Sequence, residues 1–242
     1  MAIHLLASRI AAGRTDLVID RLESGGDPTA SDENGTTLLS WCAYYGDVTA
    51  VRTLVARGAN LDVLGAGFGL NAAAFHGHWR LCQYLLERGA PVDDSLPGTN
   101  ETPLHSALVS DDRVLYDAVV QVLLAAGANI QARTTPGIDT SSFMRDSKTH
   151  GETPLHRAAA FGSVRTVQLL LDAGADLQVT DNNGDTPLAW ASWHRRPADL
   201  IRVLCYGQYQ VHPEYKGMRE NLVGDPSGGS SSKHAFERTR RE

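Results

Sequence analysis

Sulfur, positive charge and long apolar runs are all scarce in this chain, and each scarcity closes off a class of protein. The 242 residues hold only three cysteines. Cys42, Cys82 and Cys205 are odd in number, far apart and set in apolar surroundings. That excludes a disulfide framework and the paired CxxC spacing of a zinc site, and it reads as reduced core thiols. Lys and Arg total 22 against 28 Asp and Glu, a formal net charge of −6, so the basic footprint of a nucleic-acid binder is missing. Nowhere does the chain reach the roughly 18 consecutive apolar residues that a membrane-spanning helix needs. The N-terminus, MAIHLLASRIAAGRTD, has no basic residue ahead of its short apolar run, which Arg9 interrupts. No secretory signal is expected there, and the expected location is cytoplasmic, with the nucleus or a non-classical secretion route left open.

Catalytic constellations are missing too. There is no nucleophile beside a base, no paired carboxylates at a defined spacing, no HExxH and no Walker loop. The GAGFGL stretch within Leu61 to His78 has the look of a phosphate-cradling loop, but a dinucleotide fingerprint needs glycine where Leu70 stands and a long strand ahead of it. His76 and His78 form an HxH pair without a third ligand at a suitable spacing. The expectation is a non-enzymatic protein with no cofactor and no metal.

What the chain does have is a repeat, and a repeat changes the meaning of every local pattern inside it. DENGTTLLSWCAYYGD from Asp32, HGETPLHRAAAFGS from His150 and DNNGDTPLAWASWHRR from Asp181 align with Thr37, Thr153 and Thr186 in one column. Weaker copies add Thr102 and Phe68. A second column holds Gly25, Gly58, Gly89, Gly127, Gly174 and Gly207, each after an apolar run such as CQYLLERG or VQLLLDAG. Thr before Pro starts a helix, because the hydroxyl caps a free N–H and proline loses no needed donor at the first position. Leu155, Ala158 and Ala159 give a first helix a small apolar face. Val164, Val167, Leu170 and Leu171 give a second helix one buried stripe, and the glycine after it suits a left-handed cap. Asp-x-x-Gly is turn chemistry.

TPLH at Thr102 and Thr153, Gly-Ala-Asn or Gly-Ala-Asp at Gly58, Gly127 and Gly174, and a period near 33 closely resemble the ankyrin repeat. The resemblance implies an all-α repeat solenoid with β-hairpin fingers, about six repeats including two caps, with a concave face formed where the hairpins project at right angles to the helix stack. Approximate repeats fall at 1–31, 32–64, 65–98, 99–133, 150–180 and 181–207, with a C-terminal extension at 208–242 expected to be partly disordered. Arg14, Asp16, Asp20 and Arg21 in the first repeat, and Arg195, Arg196 and Arg202 in the last, fit the polar outer faces of caps. His105 and His156 are implied to make a structural hydrogen bond from helix to turn.

Three departures individualise the copies. The Gly58 to Phe68 connection is two residues short and carries Gly65, Gly67 and Gly69 in place of the Asp-x-x-Gly turn. Asp111 to Gly127 is four residues longer than its equivalent, lengthening either the inter-helix loop or the start of the second helix. About 14 residues are inserted before Thr153, within a finger at 134–149. That finger is either a tolerated surface loop or a recognition element in which Phe143 and Met144 anchor while Arg145, Asp146 and Lys148 supply charge.

The two residues before the column of Gly46, Gly77 and Gly162, in which Asp111 and Arg195 stand in the other copies, form a ladder: Tyr44 and Tyr45, Phe75 and His76, Val109 and Ser110, Ala160 and Phe161, Trp193 and His194. Aromatics are enriched among the residues that carry binding energy at interfaces. Trp41, Tyr44, Tyr45, Phe75, His76, Phe161, Trp190 and Trp193, with Arg157 and the finger residues Phe143, Met144 and Arg145, are therefore candidate contacts to a protein or peptide. Packing on the next repeat is the competing role for the same rings. Asp32, Glu33, Asp181 and Asp185 at the turn tips favour a partner of basic character. A monomer is expected, with a homo-oligomer and a small-ligand or enzymatic role for the finger and glycine segment as the rival readings.

Overall fold

The computed structural model describes residues 6, 8–10, 12–109, 113–140 and 148–205. Phe143, Met144, Arg145 and the extension at 208–242 lie outside the described residues.

Helices come in pairs. Helical residues up to Ile10 precede α1 (Leu17–Glu23); then follow α2 (Leu38–Tyr44) with α3 (Val48–Ala56), and α4 (Leu70–Phe75) with α5 (Trp79–Glu87). Next are α6 (Pro103–Ser106) with α7 (Arg113–Ala125), α8 (Pro154–Phe161) with α9 (Val164–Asp172), and α10 (Pro187–Trp193) with α11 (Ala198–Leu204). First helices pack on first helices, as α4 on α6 and α8 on α10, and second on second, as α5 on α7 and α9 on α11. Two helical layers therefore run the length of the stack.

The columns explain why. Thr37 and Thr186 accept from the backbone N–H of Ser40 and Ala189 at 3.1 and 3.2 Å, and Pro103, Pro154 and Pro187 sit in the first turn. Behind each cap the same leucine turns inward: Leu39, Leu70, Leu104, Leu155 and Leu188 are all buried in one continuous core. Burial of each such side chain contributes about 1.5–3 kcal/mol. Asp47 and Ser163 cap the second helices of their pairs.

The fingers are tighter than the expected β-hairpins. Among the described residues no strand forms, and only two isolated antiparallel bridges occur, Ser31 with Thr37 and Asp139 with Lys148. Side chains do the work of a ladder: Asp32 Oδ1 accepts from the N–H of Asn34 and Thr36, both at 2.9 Å, and Asp181 Oδ1 from those of Asn183 and Asp185 at 2.8 and 2.9 Å. A carboxylate that satisfies two turn amides leaves little for strand pairing to gain.

The short connection folds into two 3-10 turns, Leu61–Leu64 and Ala66–Gly69. Gly65 lies at φ 88°, ψ −166°, and Gly67, Phe68 and Gly69 are all left-handed, at φ 56°, 52° and 71°. Helix α4 starts without a side-chain cap. Its Asn71, in the histidine column, donates to the Asp94 carbonyl and accepts from Ser106 Oγ at 3.0 Å.

The four extra residues lengthen a helix. α7 has 13 residues and α9 has nine, and both end two residues before their glycines, so the added turn is N-terminal. Its Tyr116 donates to the Phe75 carbonyl at 2.7 Å. Arg196, expected on the polar face of the last cap, is instead buried and donates to the Gly162 carbonyl of the preceding repeat.

Candidate partner-binding surface

Two aromatic clusters stand at the C-terminal ends of the first helices. In the N-terminal one, Tyr44 meets Tyr45 and His76 edge-on at centroid distances of 5.1 and 5.0 Å, Trp41 lies 6.3 Å from Tyr44, and Phe75 lies 5.2 Å from His76. Tyr44, Tyr45 and Phe75 are exposed; Trp41 and His76 are half-buried. His78 stacks on His76 at 5.7 Å and its Nε2 lies 2.9 Å from the Tyr44 carbonyl, joining adjacent repeats. Burial, with His78 beside it, holds the His76 imidazolium pKa below its ordinary value. Neutral, half-apolar rings thus form the floor and exposed rings the top.

In the C-terminal cluster, Phe161 meets His194 edge-on at 4.8 Å, and Trp190 lies 5.5 Å from His156 and 6.0 Å from His150. Trp193 is 76% exposed, more than any other large apolar side chain described. Phe161 is half-buried. Between the clusters the ladder is interrupted by Val109, which is buried.

The tryptophans at the far ends of the stack are held alike. Trp41 and Trp190 each donate an indole N–H at 3.0 Å to the turn aspartate nine residues earlier, Asp32 and Asp181. That bond, ahead of the turn amides, holds the Asp32 carboxyl below its usual range. The aspartate therefore shapes the turn and aims the ring.

Two expected contacts are corrected by burial. Trp190 is buried, with its N–H spent on Asp181, so it supports the surface from beneath. Arg157 is 0% exposed. Its guanidinium donates to Glu152 Oε1 at 2.6 and 2.9 Å, to Glu101 Oε1 at 2.7 Å and to the His105 carbonyl at 3.2 Å. The reason is the insertion. Thr134 donates to Glu152 at 2.6 Å and Thr140 to Glu101 at 2.9 Å, while the backbone N–H groups of Gly137 and Thr149 bond to the carbonyls of Thr149 and Ile138. Two buried carboxylates need a cation, and Arg157 is the one that reaches both. Sequence reasoning missed Glu101 and Glu152, although each precedes a TPLH threonine and only one arginine follows a TPLH histidine.

The electrostatics follow from this packing. Burial opposes charge on Glu152, but Arg157 and the bonds from Thr134 and His150 outweigh it, taking the carboxyl down to about 2. Burial and Arg157 take His105 down to about 3. Burial takes His156 to about 4. Both rings are neutral: Nδ1 accepts from the N–H of Thr102 or Thr153 at 3.2 Å, and Nε2 bonds to the carbonyl of Glu152 at 3.3 Å or Asp185 at 3.0 Å. These are the helix-to-turn links that the repeat resemblance implies. Burial pushes the thiols of Cys42 and Cys82 up to about 12, which keeps them from acting as nucleophiles.

Comparison with known proteins gives one consistent picture. The family model for ankyrin repeats (3 copies) matches residues 3–95 and 138–214, and the single ankyrin repeat model matches 99–135. Among curated proteins, palmitoyltransferase ZDHHC13 of Homo sapiens is 28% identical over 193 residues, covering 70% of this chain and 30% of its own length. The E3 ubiquitin-protein ligase XBAT32 of Arabidopsis thaliana is 30% identical over 180 residues, covering 73% of this chain and 30% of its own length. Rabankyrin-5 of Homo sapiens is 31% identical over 173 residues, covering 70% of this chain and 14% of its own length. The chain thus spans less than a third of the length of these relatives. Among the described residues no helix is long and apolar enough to cross a membrane.

Proposed function

The chain belongs to the ankyrin-repeat family, and on that premise we propose that it is a non-enzymatic module that binds another protein or peptide through its turn tips and the exposed ends of its first helices. The observation that carries this reading is the exposure of Tyr44, Tyr45, Phe75 and Trp193 in a chain whose other large apolar side chains are mostly buried. Exposed rings cost solubility and gain less for the fold than buried ones, so their retention in two clusters fits a surface that is covered by a partner. The activities named for the palmitoyltransferase and the ubiquitin ligase are not carried over, because the match covers only 30% of each.

Boundaries near the expected repeats, a monomeric chain and a cytoplasmic location complete the proposal. His150, the residue after the finger at 134–149, contacts Trp190 of the second cluster. The test is affinity capture on the immobilised full chain with mass spectrometry, repeated with Tyr45→Ala, Phe75→Ala and Trp193→Ala. Loss of the same retained protein in the variants, at unchanged thermal stability, is the expected result. Equal retention by all three, with folding intact, overturns the surface.

A further inference from the structure

The C-terminal cluster surrounds a cavity of about 560 Å³ whose lining includes Asp181, Asp185, Trp190, Trp193 and Arg195. Its charge is unbalanced. Asp181 is fully engaged, but every donor to it is neutral: the amides of Asn183 and Asp185 and the indole of Trp190. Asp185, four residues on and half-buried, lines the same space. None of the ion pairs among the described residues involves either carboxylate. Burial, and then Asp181, push the Asp185 carboxyl above its ordinary value, with His150 a lesser opposing influence. Two acids outside any ion pair share the lining with the most exposed indole of the chain.

One group satisfies both at once. A planar guanidinium lies flat on an indole face while its edge donates two parallel N–H groups to a carboxylate. An ammonium gives up the stacking, and a neutral urea gives up the charge. Arg195 is exposed on the rim. Its positive charge disfavours a run of basic residues and suits a single arginine with an acidic neighbour.

We propose that this cavity is an arginine-binding subsite of the interaction surface, in which a partner's guanidinium stacks on Trp193 and donates to Asp185, in the field of Asp181. The subsite rests on the protein-binding reading above and specifies its partner as a segment presenting one arginine.

The test uses the full chain and small probes, so it needs no identified partner. N-acetylarginine methylamide is titrated while the indole N–H resonances of the tryptophans are followed by NMR, beside the lysine and citrulline analogues. The expected result is a saturable shift at Trp193 with arginine, about tenfold weaker with citrulline and weaker with lysine. Asp185→Asn keeps the size of a side chain that makes no fold-supporting bond, and it is expected to weaken arginine about tenfold. Trp193→Ala, at a residue the fold does not bury, removes that reporter, so arginine is then followed at the Trp190 indole of the same cavity, whose response should be lost. Citrulline binding as well as arginine, lysine binding more tightly, or Asp185→Asn leaving arginine unaffected would each overturn the subsite. If the probes fail while Tyr45→Ala and Phe75→Ala still release the captured partner, the subsite is wrong and the surface stands. If both fail, both are wrong.

Discussion

The short connection at 61–69 and the long one at 134–149 depart from the same repeat in opposite directions, and they are held by different physics. The short one is a backbone solution: Gly65, Gly67 and Gly69 take positive φ, and Phe68 is left-handed between them. Removing two residues leaves too little chain for an aspartate-organised turn, so conformations open to glycine close the gap. The long one is a side-chain solution. Thr134, Thr140 and the Glu152 carbonyl tie the base of the insertion to Glu101, Glu152 and Arg157, all buried. Extra chain supplies extra polar groups, and groups that are buried must find partners. Even the column that normally holds histidine differs, with Asn71 on the short side and His105 and His156 about the long side.

The largest effect expected from breaking this contrast is at Arg157. Arg157→Leu leaves Glu101 and Glu152 buried without a cation, at a cost of about 3–5 kcal/mol, read as a fall in the urea midpoint. Adding Glu101→Gln and Glu152→Gln should recover much of the loss. A single-variant cost no greater than that of a surface change would remove the network from the account.

Acid should come next, and it should strike one region first. His105 and His156 have folded values of about 3 and 4, below the ordinary 6.5, so the unfolded chain binds protons more readily. Their contribution is complete above about pH 6.5 and is lost as pH falls through the window down to about 4 and 3, at roughly 1.4 kcal/mol per pH unit for each ring. Glu152 adds a loss below about 4.5. Hydrogen exchange at pH 5 against pH 7, corrected for intrinsic rates, should show loosening around 102–105 and 152–156, with residues 61–75 less affected because Asn71 does not titrate. Uniform loosening would erase the distinction.

Gly65→Ala probes the other side. The backbone at φ 88°, ψ −166° is nearly closed to residues with a Cβ, and the substitution should cost about 1–3 kcal/mol. Gly35→Ala, in an ordinary turn at φ 82° with open space around it, should cost about 1 kcal/mol. Equal midpoints for the two variants would blunt the claim that the clipped turn depends on its glycines. Trp193→Ala should be the mildest change, within about 0.5 kcal/mol of wild type, because its ring is mostly in water.

Much of the stack is legible in the sequence alone. Thr37, Thr153 and Thr186 mark helix starts, and Gly58, Gly89, Gly127 and Gly174 all have the positive φ of a left-handed cap. The three irregular rungs were also visible as changes in spacing. What could not be read was the role of residues whose partners are distant in the chain. Arg157 has the composition of a surface contact, and its Glu101 partner is 56 residues away. Trp190 and Trp193 stand three residues apart in one helix, but one is buried and the other is 76% exposed. Helical spacing places both within reach of the groove, and only the neighbouring repeat covers one of them.

By itself, then, the sequence determined the period, the paired helices and their caps, because these depend on hydrogen bonds and apolar stripes within a few residues. The tertiary structure decided which rings remain exposed, where Arg157 is sealed and which cavity Asp185 lines. Those outcomes depend on burial and on fields summed over side chains from successive repeats, and neither is a property of any one segment.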